Sequence, residues 1–439
     1  MSLPIRHKHD TSPEGDDLEE VVAKYVTELT AGWDEPLLVL DSYTRETLVK
    51  PNCKHVLITG GTGGLGSHLV ARVLARSDES RVICLNRRNN KQDARQRQRI
   101  SLLEKGTGIS LGNVESIMDR IDVIETDLSK PDLGLSKEKY DGLVGTVTHI
   151  VHNAWLMHSK WPLKRFEPQL RIMANMISLA RDVSARRGPD VRSPVTFEFI
   201  SSIATVGHHP LWTGQPIVPE ERVPIESVLP TGYGYAKYVC ERLLDATLHR
   251  YPDRFRATTV RLGQIAGSSL NGYWNETEHV SFLVKSSQTL GALPDFQGTL
   301  GWTAVDDIAG TLVDILQQPD DAQLHLVYHV ENPIRQPWKS MIADLSVMLD
   351  IPAVIPFNEW VRRVREWPIK EDNRADGANP ACLLVDFLDD NFARMSCGGL
   401  LMGTVNAREH SPTLSKAGSI SADTTGLYIS KWRETGFLK

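Results

Sequence analysis

Hydrophobic positions along this chain change rhythm more than once. Residues 2–17, SLPIRHKHDTSPEGDD, are polar and broken by Pro and Gly, which predicts a flexible leader. LEEVVAKYVTEL from Leu18 then places apolar residues at helical spacing and predicts one linker helix. From His55 apolar runs alternate with amphipathic stretches: HVLIT, SHLVARVLAR, RVICLN, VESIMDRIDVIE, VTHIVHNA, RIMANMISLARDV and VTFEFISS follow in order. Val- and Ile-rich runs separated by helical patterns are strands covered on both faces, because parallel strands need crossovers that lay helices over the sheet. The predicted fold is α/β, a doubly wound parallel sheet. After about Pro319 the rhythm is lost, and a segment with several Trp and Pro residues leads through FNEWVRRVREW to helical and loop patterns. The expected division is a leader and linker helix over 1–50, a sheet domain over 51–325, and a smaller, mainly helical substrate domain over 326–439. An insertion at about 268–300 is expected to contribute to the smaller domain.

Composition narrows the partners. With 439 residues, 41% of them hydrophobic and 24% charged, the chain can bury a large core, and disorder is excluded for most of it. A net charge of −6 gives no bulk attraction to phosphate backbones or anionic membranes, so nucleic acid and membrane are not expected partners. Five cysteines (Cys53, Cys84, Cys240, Cys382, Cys397) are scattered without C-x-x-C spacing and without a secretory leader ahead of them. That pattern suggests a reducing cytoplasm and no structural zinc. No apolar run approaches the ~18 residues of a membrane span, so a soluble protein is expected. His152, His158, His208 and His209 have no ligand spacing with acidic partners, so no metal is expected.

The strongest local signal is Thr59-Gly60-Gly61-Thr62-Gly63-Gly64-Leu65-Gly66, which follows the strand HVLI and opens the helix SHLVARVLA. That is the setting of a dinucleotide-binding turn. Gly60 permits the tight turn, Gly63 lets N–H groups approach a pyrophosphate at the helix N-terminus, and Gly66 lets helix and strand pack closely. The second strand ends about twenty positions after Gly66, where an NAD-specific protein places a carboxylate against the ribose 2′-hydroxyl. Asn86, Arg87 and Arg88 stand there instead. A guanidinium pairs with a 2′-phosphate, so the expected cofactor is NADPH. Arg88, Arg95 and Arg99 read better as a solvated basic face. Asp127, with Leu128 beyond it, follows the third strand, where a carboxylate can take a hydrogen bond from the adenine amino group or simply cap the strand end.

Tyr233 and Lys237 stand four apart, on one face of a helix. A free tyrosine has a pKa of about 10, and a neighbouring ammonium stabilises its phenolate and makes it a better proton donor near neutrality. The pair lies downstream of Phe199-Ile200-Ser201-Ser202, the end of a predicted strand. There the hydroxyl of Ser202 or Ser201 can bond a substrate carbonyl and stabilise charge developing on it. Tyr235 is discounted because the residue four along is Val239.

TGGTGGLG, FISS and YGYAK in this order resemble the extended short-chain dehydrogenase/reductase family with its Rossmann fold, and within it the thioester reductases. VHNAW (Val151–Trp155), VRLGQIAG (Val260–Gly267), DNFARMSCGGLL (Asp390–Leu401) and W-x-x-x-G-F-L from Trp432 extend the resemblance over roughly residues 54–439. It is nearest to the C-terminal reductive-release domains of fungal nonreducing polyketide synthases. The resemblance implies a catalytic triad of Ser202, Tyr233 and Lys237, with Lys237 also bonding the nicotinamide ribose. It implies a 2′-phosphate clamp of Arg87 and Arg97, passage of Asn153 and Ala154 beside the cofactor, and backbone from Gly263, Gln264 and Ile265 toward the nicotinamide. Thr62, Gly64 and Leu65 complete the cofactor set, with Asp127 and Leu128 toward the adenine. Many relatives have Thr where Ser202 stands, and Val where Asn86 stands.

The implied activity is NADPH-dependent release of a thioester-bound acyl or aryl chain as an aldehyde, from an acyl carrier protein partner. A carrier would present a Gly-x-Asp-Ser turn, and Leu40-Asp41-Ser42 lacks the glycine. The carrier is therefore expected on another domain or protein, and this chain is expected to be a monomeric terminal domain with its upstream linker. The alternatives are a reductase domain of a peptide synthetase or carboxylic acid reductase, and a free-standing dehydrogenase or epimerase, which would leave the linker and C-terminal motif without explanation. A dinucleotide-sensing regulator would need no proton donor. Trp212, Tyr273, Trp274 and Trp302 are candidates for an aromatic acyl pocket as well as for ordinary core. Arg362, Arg363 and Arg365 in WVRRVREW are candidates for carrier docking, although a charged helix face is more often simply solvated.

Overall fold

The computed structural model describes residues 18–33, 54–89, 91–158, 160–187, 194–367 and 377–439. The expected leader, Leu40-Asp41-Ser42 and Cys53 lie outside the described residues. The helix expected from Leu18 spans Leu18–Leu29 (α1) and packs against the same core as the sheet.

Seven strands form one parallel sheet: β1 (His55–Thr59), β2 (Arg81–Arg87), β3 (Ile121–Thr126), β4 (His149–His152), β5 (Val195–Ser202), β6 (Phe255–Leu262) and β7 (Val327–Val330). Their order across the sheet is β7-β6-β5-β4-β1-β2-β3. It reverses direction between β1 and β4, the switch point where open α/β sheets hold ligands at the C-terminal strand ends. β6 is buried at all eight positions, as expected of a strand covered on both sides. Helices α2 (Gly64–Arg76) and α3 (Ala94–Glu104) follow β1 and β2, and α4 (Glu167–Arg187) and α5 (Gly232–Ala246) flank β5.

Two hydrophobic clusters cover the two sheet faces. One unites Phe197 and Phe199 with Leu170 and Met173 of α4 and Leu243 of α5; the other unites Ile58, Val151 and Val260 with Val70 of α2. A third cluster joins Trp274, Val284 and Leu293 to Trp338, Trp360 and Trp432, so the 268–300 stretch packs with the C-terminal segment. The division expected at 325/326 does not coincide with the end of the sheet. β7 lies beyond it and pairs with β6, and Ala407, Leu414 and Ala417 also pack in a sheet-face cluster. A four-residue strand surrounded by irregular chain carries too short a periodicity to be read from sequence.

Among the described residues no helix is long and apolar enough to cross a membrane, and no group of three or more His, Cys, Asp or Glu could hold a metal ion.

Candidate active site

The turn after β1 is shaped by close approach. Gly60 sits at φ 74°, in the left-handed region, and a Cβ there would lie 3.0 Å from the Ala154 Cα. A Cβ on Gly66 would fall 2.0 Å from the Gly60 carbonyl oxygen, so glycine is required for the first turn of α2 to pack on the strand end. Gly63 donates to the Gly60 carbonyl at 2.9 Å, and a Cβ on Gly64 would meet nothing within 4 Å. The space above the start of α2 is open, and N–H groups without intrahelical partners face it.

Behind this turn stands α3. Gln98 donates to the Gly61 carbonyl at 3.0 Å, and Lys105 donates to the Thr62 carbonyl at 2.5 Å. In a trans peptide C=O and N–H point opposite ways, so holding the Gly61 carbonyl toward α3 turns the Thr62 N–H away from it. Asn86, whose role the resemblance left open, is buried and donates to Gln98 at 3.4 Å. Thr59 fixes the neighbouring strand end: its hydroxyl accepts from the N–H groups of Asn153 (3.1 Å) and Ala154 (2.9 Å) and lies 2.9 Å from Nδ1 of His152. Thr59, Gln98 and Lys105 were not singled out from sequence, since their contacts are with backbone far away in the chain.

Near the end of β2 the two arginines differ. The Arg87 side chain is exposed and forms no ion pair among the described residues. Arg97 is engaged: Nη2 meets Glu125 at 2.5 Å and donates to the Arg87 carbonyl at 3.0 Å. A carboxylate does stand near this corner, on β3 rather than β2, and Arg97 neutralises it. The Nε of Arg97 is buried without a partner, a donor left for an incoming acceptor. Asp127 takes the capping role, accepting from the N–H and hydroxyl of Ser129 (3.2 and 2.6 Å), and this holds its carboxyl below the usual range. Leu128 is buried, and its carbonyl accepts from Asn175 at 2.8 Å. Beyond β6, the Gly263 N–H donates to Val330 and the Gln264 carbonyl accepts from Thr303, so part of the Gly263–Ile265 backbone is already used.

At the C-terminal end of β5, alternation gives the two serines different surroundings. Ser201 donates to Glu241 at 2.6 Å, and Glu241 pairs with buried Arg261 at 2.7 Å. Glu241 is buried, yet Arg261 holds its carboxyl below the usual range. Ser202 lies on the other side, within hydrogen-bonding reach of the Tyr233 phenol, a contact that opposes the upward push of burial on Tyr233. Lys237 is buried. Its Nζ donates to the Ile200 carbonyl at 2.6 Å and sits 3.8 Å from the centre of the Trp155 ring, and burial pulls it down to about 7. The ammonium is thus held by strand and indole, and the groups acting on the phenol are its burial and Ser202.

Trp155 and Phe166 stand edge-on to Tyr233 at 6.3 and 6.4 Å, and Tyr233 packs against a small cluster of Ala204, Leu229 and Met395, against which Phe387 also packs. These side chains surround the reaction end. Trp274 and Trp302, two of the aromatic candidates, are instead core residues, 5.3 Å apart and edge-on to each other. Tyr273 lies beside Lys105, and Trp212 is exposed.

This arrangement matches known proteins. The male sterility protein family model matches residues 58–314. The chain belongs to that family. It is an oxidoreductase with an NAD(P)-binding Rossmann fold, of the thioester-reductase kind that its motifs implied. Over 98% of its length it is 54% identical to a 3-methylorcinaldehyde synthase of Sarocladium schorii, and over 96% it is 55% identical to the non-reducing polyketide synthase dbaI of Emericella nidulans. It spans only 16% of the length of either relative. The fold is similar to that of the terminal R domain of the myxalamid PKS-NRPS pathway, with TM-score 0.73, 22% identity and coverage of 96% of this chain and 99% of that one. A thiolation-reductase di-domain from an archaeal non-ribosomal peptide synthetase gives TM-score 0.68 at 15% identity, covering 97% of this chain and 84% of that one.

Proposed function

We propose that this chain uses NADPH to release a carrier-bound aryl or acyl thioester as an aldehyde, in the cytoplasm. The carrying observation is the convergence of Ser202, Tyr233 and Lys237 at the C-terminal end of the sheet beside an open phosphate-binding turn. Further support comes from the relative named 3-methylorcinaldehyde synthase, whose name states an aldehyde product.

The residues present fit the dinucleotide. The space beside Gly64 is open, no carboxylate ends β2, and exposed Arg87 and the unpartnered Nε of Arg97 suit a 2′-phosphate better than a hydroxyl. When bound, NADPH supplies the hydride that adds to the thioester carbonyl carbon. Ser202 hydrogen-bonds the carbonyl oxygen as charge develops on it, and Tyr233 donates the proton that converts it to a hydroxyl. The resulting hemithioacetal then loses its hydroxyl proton as the C–S bond breaks, giving the aldehyde and the free carrier thiol. Lys237 holds positive charge beside this end of the site, and Trp155, Phe166 and Phe387 exclude water from it. Overall one thioester, one NADPH and one proton become aldehyde, thiol and NADP+.

Incubation with NADPH and a panel of aryl and alkyl thioesters, with products identified by mass spectrometry, tests the reading. Aldehyde and NADP+ in equal amounts are expected, and no reduction of any thioester would overturn it.

A further inference from the structure

The segment between β4 and α4 seats directly on the proton donor's helix. A Cβ on Gly232, the residue before Tyr233, would lie 2.1 Å from the Trp161 carbonyl oxygen and 2.6 Å from the Leu163 nitrogen. An aromatic column runs outward from Tyr233. Phe166 packs on it, Trp161 stands edge-on to Phe166 at 5.8 Å, and His158 stacks on Trp161 at 4.6 Å. The Arg165 guanidinium caps the same indole at 5.5 Å.

The outer end of this column is basic and unneutralised. Lys160, Lys164 and Arg165 are exposed and form no ion pair among the described residues, and Met157 beside them is 70% exposed. The arginines of Phe357–Glu366 differ from these. Arg362 pairs with Glu366, Arg363 with Glu359 and Arg365 with Asp389. The helix expected as a docking candidate, Phe357–Glu366, thus carries carboxylates beside its exposed arginines, which lowers the net positive charge it shows a partner.

We propose that Met157, Lys160, Lys164 and Arg165 form the docking face for an acidic carrier domain, with Met157 as apolar contact and the three cations as the charged rim. The proposal rests on the carrier-thioester reading above and assigns the surface that reading needs. Three cations without an ion pair among the described residues, in one segment with an exposed apolar side chain, complement a surface that presents carboxylates beside an apolar residue. Coulomb attraction between the two surfaces steers encounter more than it tightens the complex, and it is screened by salt. Docking here delivers a tethered thioester to the end of the aromatic column that reaches Tyr233.

The test compares the chain with Lys160→Glu/Lys164→Glu/Arg165→Glu on two substrates: one acyl group on an acidic acyl carrier protein, and the same group on N-acetylcysteamine. At low salt the triple variant should lose about tenfold or more in kcat/KM with the carrier substrate and keep its rate with the small thiol, and added salt should shrink the gap. Lys160→Arg/Lys164→Arg should behave as the unmutated chain. Equal loss on both substrates, or no loss on the carrier substrate, would overturn the proposal. So would a carrier-selective loss in Trp212→Ser with the triple variant unaffected, since that would place docking on the exposed face of Leu211, Trp212 and Ile217. An unmutated chain that reduces neither substrate would instead refute the reading on which the proposal rests.

Discussion

The two ends of the crevice are built from different materials. The phosphate end is backbone: Gly60, Gly64 and Gly66 leave room, and Gln98 of α3 and Lys105 just beyond it hold peptide carbonyls so that N–H groups face outward. The reaction end is side chain: Ser202, Tyr233 and Lys237 converge from β5 and α5 in a wall of aromatic rings. Backbone geometry recognises a diphosphate common to many reactions and does not titrate. Side chains carry protons, so their surroundings set their chemistry, and burial has already moved Lys237 to about 7.

If the ends are separable, damage at one should spare the other. Tyr233→Phe removes only the proton donor and should lower turnover by about 10²–10⁴-fold while NADPH affinity, read by fluorescence titration, stays within twofold or so. Retained turnover would remove Tyr233 from the reaction. Gly66→Ala is the reverse experiment. Its Cβ meets a backbone oxygen that cannot swing away, and an overpacking cost of about 1–3 kcal/mol should appear as weaker NADPH binding and a lower Tm. Unchanged binding and Tm would show that the turn relaxes without loss.

The pH profile separates the ends again. With burial holding Lys237 down to about 7 in the free enzyme, the ammonium is present below that pH and lost above it, so kcat/KM should fall about tenfold between pH 6 and pH 8. A profile flat to pH 9 would show that the ammonium persists or is not needed. A further test lies at the arginines beyond β2. Arg87→Ala should remove a charge-assisted bond of about 1.5–3 kcal/mol and with it roughly tenfold or more of the NADPH-over-NADH preference. Arg97→Ala should remove less, because Glu125 already holds much of that guanidinium. Equal efficiency with both cofactors in the unmutated chain would refute the clamp.

How far the site was legible follows the same division. Gly60 and Gly66 could be read because their constraint is local, a turn and a helix start within eight residues of chain. Tyr233 and Lys237 could be read because helical spacing puts positions four apart on one face. The residues by themselves left Ser201 and Ser202 open and the resemblance pointed to Ser202; what each strand face meets, Glu241 and Arg261 on one side and Tyr233 on the other, is set by packing. A sign of that network was present, because Glu241 stands four positions after Lys237. Trp155 was visible in VHNAW, yet nothing in a linear pattern says that its ring will lie under an ammonium.

The sequence by itself determined the parallel sheet, the dinucleotide turn and the spacing of proton donor and lysine, because each depends on periodicity or on residues close together in the chain. Tertiary structure alone decided that β7 returns to the sheet from beyond 325, that Arg97 is half-committed to Glu125, and that Trp274 and Trp302 are core while Met395 joins the cluster under Tyr233. It also decided that one basic cluster is paired while another forms no ion pair among the described residues. The physical reason is common to all of these: which groups meet across long sequence separations is set by how the layers pack, and a composition or a spacing carries no record of a partner a hundred residues away.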